Sequence, residues 1–395
     1  MILFTKALFW ICLILLFYTY IGYGILLFII VKIKKWISGE PALQYSYEEL
    51  PEATLVVAAY NEADIIEEKI KNTFDLRYPE GKLKIIFVTD GSTDGTDEIT
   101  RKHPGIVTLH HPQRQGKIKA MHRAMEATDT PIVIFTDANT FLNPDAAVNL
   151  ARHYKDPKVG AVAGEKRILV DKKDEAAGAG EGMYWKYEST LKKWDSQLYS
   201  VVGAAGELFS IRKALYAPAP PDTIIEDFYL TLTVAANGYK VKYEPEAYAM
   251  ERGSVSVKEE MKRKIRIAAG GLQAIVRLKP LLNVFRYGVL SFQYISHRVL
   301  RWTLAPLCLP LLFIASLSLA VYPSFYFWMF AGQVLFYGLG LAGAAMSRRK
   351  TRLKALFVPY YFMVMNYSVY AAFFRFKRGK QSVLWEKARR STLTS

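Results

Sequence analysis

Apolar positions along the chain fall into three regimes. There are long unbroken runs, short unbroken runs that end in acidic turns, and one basic amphipathic stretch. Ala7 to Val31 is about as long as a bilayer-crossing helix requires. It is too long for a signal-peptide apolar region, and no small-residue cleavage site follows it. After a polar linker the runs shorten to Thr54–Ala58, Lys84–Thr89, Ile106–Leu109, Ile132–Phe135 and Val159–Ala163. Strands buried on both faces look like this. Helical periodicity separates them over Asn61–Leu76, where Ile66, Ile70 and Phe74 share a face, over Gly116–Ala127, and from Asn143-Pro144-Asp145 onward. Strands alternating with helices predict an α/β domain around a parallel, nucleotide-binding type of sheet.

The pattern changes at Asp171–Ser200, which is charged and aromatic. It predicts a helical excursion that lines a site or lies at headgroup level, and Trp185 and Trp194 fit either role. Val201–Glu207 returns to the sheet, followed by Leu208–Ile211. The small residues Gly203, Ala204, Ala205 and Gly206 let a ligand approach the backbone. A helix is expected over Phe228–Ala236, ending at Asn237-Gly238, and a last short strand over Lys240–Tyr243. Residues 254–302 are basic and amphipathic, as interfacial helices are. Thr303–Val321 and Phe325–Met346 are two spans joined by Tyr322-Pro323-Ser324. Ala355–Phe374 is apolar enough to cross again, but that would put Arg375, Lys377, Arg378 and Lys380 outside. Crossing and folding back both remain open.

The divisions are therefore an N-terminal transmembrane helix (1–37), a linker (38–53), a cytosolic domain (54–253), interface helices (254–302), a C-terminal membrane region (303–375) and a basic tail (376–395). The 395 residues are 51% hydrophobic and carry a formal charge of +16, enough to suggest nucleic acid. Much of that charge flanks the apolar runs, at Lys32, Lys34 and Lys35 and again at Arg348, Arg349, Lys350, Arg352 and Lys354. Membrane lipids are thus the expected partner, and nucleic acid is not. The positive-inside rule puts the amino terminus outside and the following domain in the cytosol. An integral protein of the cell (inner) membrane is expected. Cys12 and Cys308 lie in apolar runs and read as small apolar residues.

Four acidic turns carry the candidate chemistry: Asn61-Glu62, Asp90, Asp137 with Asn139, and Glu226-Asp227. The first three follow expected strands of one sheet, at the edge where open α/β sheets bind ligands. Asp137 and Asn139 are two residues apart, so both oxygens can face one cation. A divalent ion that arrives with phosphates needs few protein ligands. An Asx turn without metal is the alternative. Asp90 and Asp94 also fit turn and capping positions. His110, His111 and His297 have no partner at metal-ligand spacing and read as surface or interface residues.

Ala59-Tyr60-Asn61-Glu62, the Thr89–Thr96 turn, Gly116-Lys117, Asp137-Ala138-Asn139 and Ile225-Glu226-Asp227 occur in an order that resembles the family-2 inverting glycosyltransferases. The likeness is closest to the membrane-embedded cellulose, chitin, hyaluronan and poly-N-acetylglucosamine synthases, and it covers residues 50 to 300. It implies a mixed sheet of the GT-A type with flanking helices. It also implies transfer of a sugar from a nucleotide-sugar donor, a UDP-sugar, to a saccharide or lipid-linked acceptor at the cytosolic face. By the resemblance Ala59, Tyr60 and Glu62 border the nucleobase and ribose, and Asp90 meets the uridine end with help from Lys117. Asp137 holds Mg²⁺ or Mn²⁺ on the diphosphate, with Asn139 second. Gly203, Ala204, Ala205, Gly206 and Glu207 border the acceptor, Asp227 is the general base with Glu226 in support, and Arg266 is the cation for the leaving group.

Two departures matter. The family's metal turn usually closes on a second Asp, where this chain has Asn139. The processive Gln-x-x-Arg-Trp motif is matched by Arg263-Lys264-Ile265-Arg266-Ile267, so the stacking indole is absent there. That favours addition of one or a few sugars over long-chain polymerisation. A non-catalytic nucleotide-binding membrane scaffold or export component is the rival reading, and it has no need to keep Asp90, Asp137 and Asp227 together. A nucleotidyltransferase would have no use for a base beside an acceptor pocket.

Overall fold

The computed structural model describes residues 1–39, 45–169, 175–252, 257–321, 325–347 and 354–379. Part of the expected linker, the Tyr322-Pro323-Ser324 turn, the cations Arg348, Arg349, Lys350 and Arg352, and the tail from Lys380 lie outside them.

Strict alternation of large apolar side chains across β1 (Ala53–Ala59), β2 (Leu83–Asp90) and β4 (Ile132–Asp137) builds a core on each face of one sheet. Leu55, Val57, Phe87, Ile132 and Ile134 point to one face, where they meet Ile66, Ile70 and Leu150. Val56, Ile86, Val88, Val133 and Phe135 point to the other, onto Met121, Ala124, Phe228 and Leu232. Each such burial contributes about 1.5–3 kcal/mol. This is why the strands read as unbroken apolar runs.

The sheet has eight strands in the order β3-β2-β1-β4-β7-β6-β8-β5. β3 is Ile106–His111, β5 Thr140–Leu142, β6 Val159–Leu169, β7 Leu208–Arg212 and β8 Lys240–Arg252. The first four in spatial order run parallel, and β7 is antiparallel to both β4 and β6. The sheet is therefore mixed, as the resemblance implies, and the parallel pairing expected from the strand–helix alternation joins β3, β2, β1 and β4, and again β6 with β8. Other expectations are also corrected. Val201–Glu207 is a loop, and the strand starts at Leu208. The last strand runs to Arg252, thirteen residues rather than four. The helix expected from Asn61 starts only at Ile66, because Asn61 sits at φ 52° and locks into the next turn. Its side chain accepts from Thr93 N, while its own N–H donates to Ser92 Oγ.

The Ile2–Ser38 helix and Phe325–Met346 are long and apolar enough to cross a membrane, by length and composition. Val289–Trp302 and Leu304–Leu319, bent by 54° at their break, make a third if they count as one span. The Lys354–Lys377 helix is not among these, and it buries Ala372 against Ile265, Ala268 and Ala269 of the Val257–Arg277 helix. Cys12 and Cys308 are free thiols in one apolar cluster between the first helix and Leu304–Leu319.

The first helix is fastened to the sheet domain by a buried polar joint. It widens into a π turn at Tyr18–Gly22, and a second π turn lies at Ile295–Val299. Tyr18 Oη and Ser296 Oγ of the two turns are 2.7 Å apart. Tyr23 donates to Asp195 of the Glu175–Leu198 helix, and His297 Nδ1 lies 2.6 Å from the other oxygen of that carboxylate. His297, expected as a surface or interface residue, is fully buried, and Asp195 and Glu188 supply a polar partner on each side of its ring. Asp195→Ala is expected to cost about 3–5 kcal/mol, since it strands the buried Tyr23, His297 and Gln293, the last of which donates to Asp195 Oδ1 at 3.0 Å. Thermal unfolding in detergent would register this, and an unchanged melting temperature would refute it.

Candidate active site

Asp90, the last residue of β2, does not point into open space. Its Oδ2 accepts from Gln115 N at 2.8 Å and Gly116 N at 2.6 Å, and its Oδ1 from Arg123 at 2.7 Å. These bonds fix the start of the Lys117–Ala127 helix. Gly91 beside it has φ +70°, and a Cβ there would lie 2.6 Å from the Arg114 backbone, so only glycine fits. Asp90 thereby sets Lys117, the first residue of that helix.

Lys117 crosses the mouth of the sheet. Its Nζ is 2.7 Å from Asp137 Oδ1 at the end of β4 and 3.1 Å from Glu226 Oε1 at the start of the Glu226–Ala236 helix. Gly206 O lies 3.4 Å away. A Cβ on Gly206 would sit 3.2 Å from Lys117 Nζ and 3.5 Å from the Asp227 carboxylate, so Asp227 closes the same group. The Gly203–Glu207 loop is held against this helix. Ala204 N donates to Thr231 Oγ1, and Gly203, at φ +94°, leaves no room for a Cβ beside Phe228.

The charges settle unequally. Burial pushes the Asp227 carboxyl up to about 7, and neighbouring Glu226 adds to the rise. Burial also raises Asp137, against the pull of Lys117. Glu226 is held below its ordinary value despite burial, first by Lys117 and then by Arg266. Lys117 is pushed up by Asp137 and Glu226 although burial opposes it. Glu207 turns toward Lys166, which it shares with Glu251, and is held low by Lys166 and Arg263. Arg266 donates to Ile224 O at 3.1 Å, from the Val257–Arg277 helix, and feels the charges of Glu226, Asp227 and Asp137.

One cavity of about 930 Å³ takes in Lys117, Asp137, Glu226, Asp227, Arg266 and the Ala204–Glu207 loop. Ala59, Tyr60, Glu62, Asp90 and Asn139 are not part of its wall. Asp90 and Asp137 end strands on either side of β1, two strand spacings or about 10 Å apart. Ala59 and Glu62 are buried, and Tyr60 carries the Arg114 guanidinium 3.7 Å from its ring centre. Asn139 is buried, and its Oδ1 has no hydrogen-bond partner among the described residues. A lone buried acceptor two residues after a carboxylate suits a cation that brings its other ligands with it. No cluster of three His, Cys, Asp or Glu residues fit to hold a metal occurs among the described residues.

Trp302 is a residue that sequence reasoning missed. It lines the cavity, edge-on to Phe228 at 5.4 Å, and packs on Gly271. An indole thus stands near the helix where Ile267 replaces the expected one, though it comes from another segment. Only the Arg301-Trp302 pair hinted at it.

A mixed sheet whose carboxylate-rich edge faces a cavity roofed by helices defines the GT-A type of nucleotide-binding transferase fold. The solved mannosyltransferase PcManGT from Pyrobaculum calidifontis, in complex with GDP-Man and Mn²⁺, shares it with a TM-score of 0.69 over 94% of this chain and 99% of that one, at 23% identity. Residues 54–217 match the model of Glycosyl transferase family 2. Poly-beta-1,6-N-acetyl-D-glucosamine synthase of Staphylococcus aureus (strain MSSA476) is 28% identical over 240 residues, 58% of this chain and 57% of that protein. The Staphylococcus epidermidis synthase of the same name is 24% identical over 273 residues, 66% of this chain and 65% of that protein. The chain thus spans less than two thirds of the length of these curated relatives.

Removing the central cation should raise the proton affinity of the carboxylates around it. If the carboxylates govern turnover, Lys117→Met moves the midpoint of the pH–rate profile upward by about one unit or more. An unmoved midpoint would separate Lys117 from them.

Proposed function

We propose that the chain is an inverting, membrane-associated glycosyltransferase that draws a nucleotide-sugar, a UDP-sugar by preference, from the cytosolic side. The observation that carries this reading is the meeting of Asp137, Glu226 and Asp227 around Lys117 beside a cavity that an acceptor can enter. The nucleoside end of the donor lies over Ala59, Tyr60 and Glu62, with the Asp90 turn as its border. The roughly 10 Å between the ends of β2 and β4 suits an extended donor with its diphosphate toward Asp137. Asp137 and Asn139 would hold Mg²⁺ or Mn²⁺, which neutralises charge on the leaving diphosphate. Arg266 faces the same developing charge.

Asp227 is the group raised toward neutral pH, the value that suits a general base. Its carboxylate takes the acceptor hydroxyl proton as the new bond forms. Glu226, kept ionised by Lys117, holds the ammonium in place. Gly203, Ala204, Ala205 and Gly206 bring backbone close to the acceptor. Glu207 borders it from its ion pair with Lys166. The acceptor is a saccharide or a lipid-linked group, as in polysaccharide synthesis.

Purified protein in nanodiscs, given a panel of nucleotide sugars with Mn²⁺, should release a nucleoside diphosphate from at least one donor. No release with any donor would favour a nucleotide-binding scaffold. Asp227→Asn should still bind UDP by calorimetry yet turn over at least about a hundredfold more slowly, the scale for a lost general base. Near-normal turnover would take Asp227 out of that role. Because the base must be ionised, kcat/KM should fall as pH drops through about 7 and level off above it. A profile that is flat down to pH 5 would contradict this.

A further inference from the structure

The cavity does not end at the carboxylates. It also takes in Glu188, Arg298 and Arg301, with Tyr20 of the first helix and Phe362 and Met365 of the Lys354–Lys377 helix. At this far end the charge does not balance. Glu188 faces Arg298 Nη2 at 2.5 Å through one oxygen and Arg301 Nη1 at 3.1 Å through the other. One carboxylate thus serves two guanidinium groups, and the nearby His297 has Asp195 on its other side. Arg298 spends its Nε on Val202 O at 3.1 Å. Arg301 Nε and Nη2 are shut off from solvent and make no hydrogen bond to any described residue. Buried charged donors without acceptors are costly and call for one. A phosphate matches a guanidinium fork best.

The charges here pair among themselves and not with those proposed for the donor diphosphate. Arg298 and Arg301 belong to the Val289–Trp302 segment, whereas Lys117 and Asp137 sit at the sheet edge. Beyond the two arginines the wall is mainly apolar and aromatic, from Tyr20 of the Ile2–Ser38 helix, which is long and apolar enough to cross a membrane, and from Phe362 and Met365 of the Lys354–Lys377 helix. A ligand that satisfies both needs a phosphate next to a long apolar body.

We propose that this end of the cavity binds a membrane lipid with a phosphate at its head, and that the lipid carries the acceptor. Arg301 and Arg298 hold the phosphate, and Tyr20, Phe362 and Met365 line the way for the chain. The acceptor hydroxyl, borne beyond that phosphate, reaches Asp227. Its oxygen bonds to the anomeric carbon of the donor. The bond from that carbon to the diphosphate oxygen breaks, the electron pair leaves with the nucleoside diphosphate, and the hydroxyl proton passes to Asp227. The transfer step rests on the function proposed above, but the lipid site does not.

The test is made on the full chain without any donor, so its outcome is independent of turnover. Protein in detergent is mixed with phosphatidylcholine vesicles that contain a polyprenyl monophosphate or the matching polyprenyl alcohol. The lipid retained after purification is then counted by mass spectrometry. Retention of the monophosphate should exceed that of the alcohol at least tenfold, and inorganic phosphate at the same concentration should not displace it. Arg301→Gln should remove that preference, with UDP binding measured in parallel to report the fold. Equal retention of alcohol and monophosphate would overturn the proposal, and this arm needs no variant. Displacement by inorganic phosphate would overturn the lipid assignment, and an unchanged preference in a folded Arg301→Gln would overturn the role of that side chain.

Discussion

A single ammonium group inside a ring of carboxylates is the contact on which the site depends. Lys117 is placed by Asp90, which ties down the backbone at the start of its helix. It then joins the end of β4, through Asp137, to the start of the Glu226–Ala236 helix. Without a cation there, three buried acids would repel one another and each would hold its proton. With it, Glu226 stays ionised while Asp227, one residue on, buried and beside that charge, is left near the middle of the pH scale. Two adjacent acids acquire different proton affinities through their distance from one amine, a common way for a fold to separate acid and base roles.

The scaffold explains how residues so far apart in sequence reach that amine. Parallel pairing of β2, β1 and β4 brings their carboxyl ends to one edge. Because β7 is antiparallel to β4, its start and the Gly203–Glu207 loop just before it lie at the same edge. The small residues of that loop are explained by contact. Gly203 lies against Phe228, and Gly206 lies between Lys117 and Asp227. From the other side the Val257–Arg277 helix brings Arg266, and the Val289–Trp302 segment brings Trp302.

The buried strands, the acidic turns at their ends and the long apolar helices were legible from the chain, because each leaves a local mark. Long-range pairing leaves none. Nothing local says that β7 runs antiparallel, that the last strand continues to Arg252, or that Asn61 adopts a left-handed conformation to lock two turns together. Asp90 stood out as an acid at a strand end, but its engagement with Gln115, Gly116 and Arg123 follows from the turn packing, which periodicity does not encode. The sequence offers Lys117 only as an aid to the donor, since its placement among three acids depends on helices that meet only in space. His297 looked like an interface residue, for its two acidic partners lie more than a hundred positions earlier.

The paired π turns at Tyr18–Gly22 and Ile295–Val299 have a mechanical consequence. A widened turn swings side chains out of helical register, which is how Tyr18 meets Ser296 and Tyr23 meets Asp195 across three separate segments. Because that seam combines these directional hydrogen bonds with apolar packing of Tyr23, Leu27 and Val31 on Leu191, it resists sliding and rotation alike. The first helix and the transferase domain therefore move as one lever, so that a tilt of the helix is carried over to the chamber where sugar would change hands.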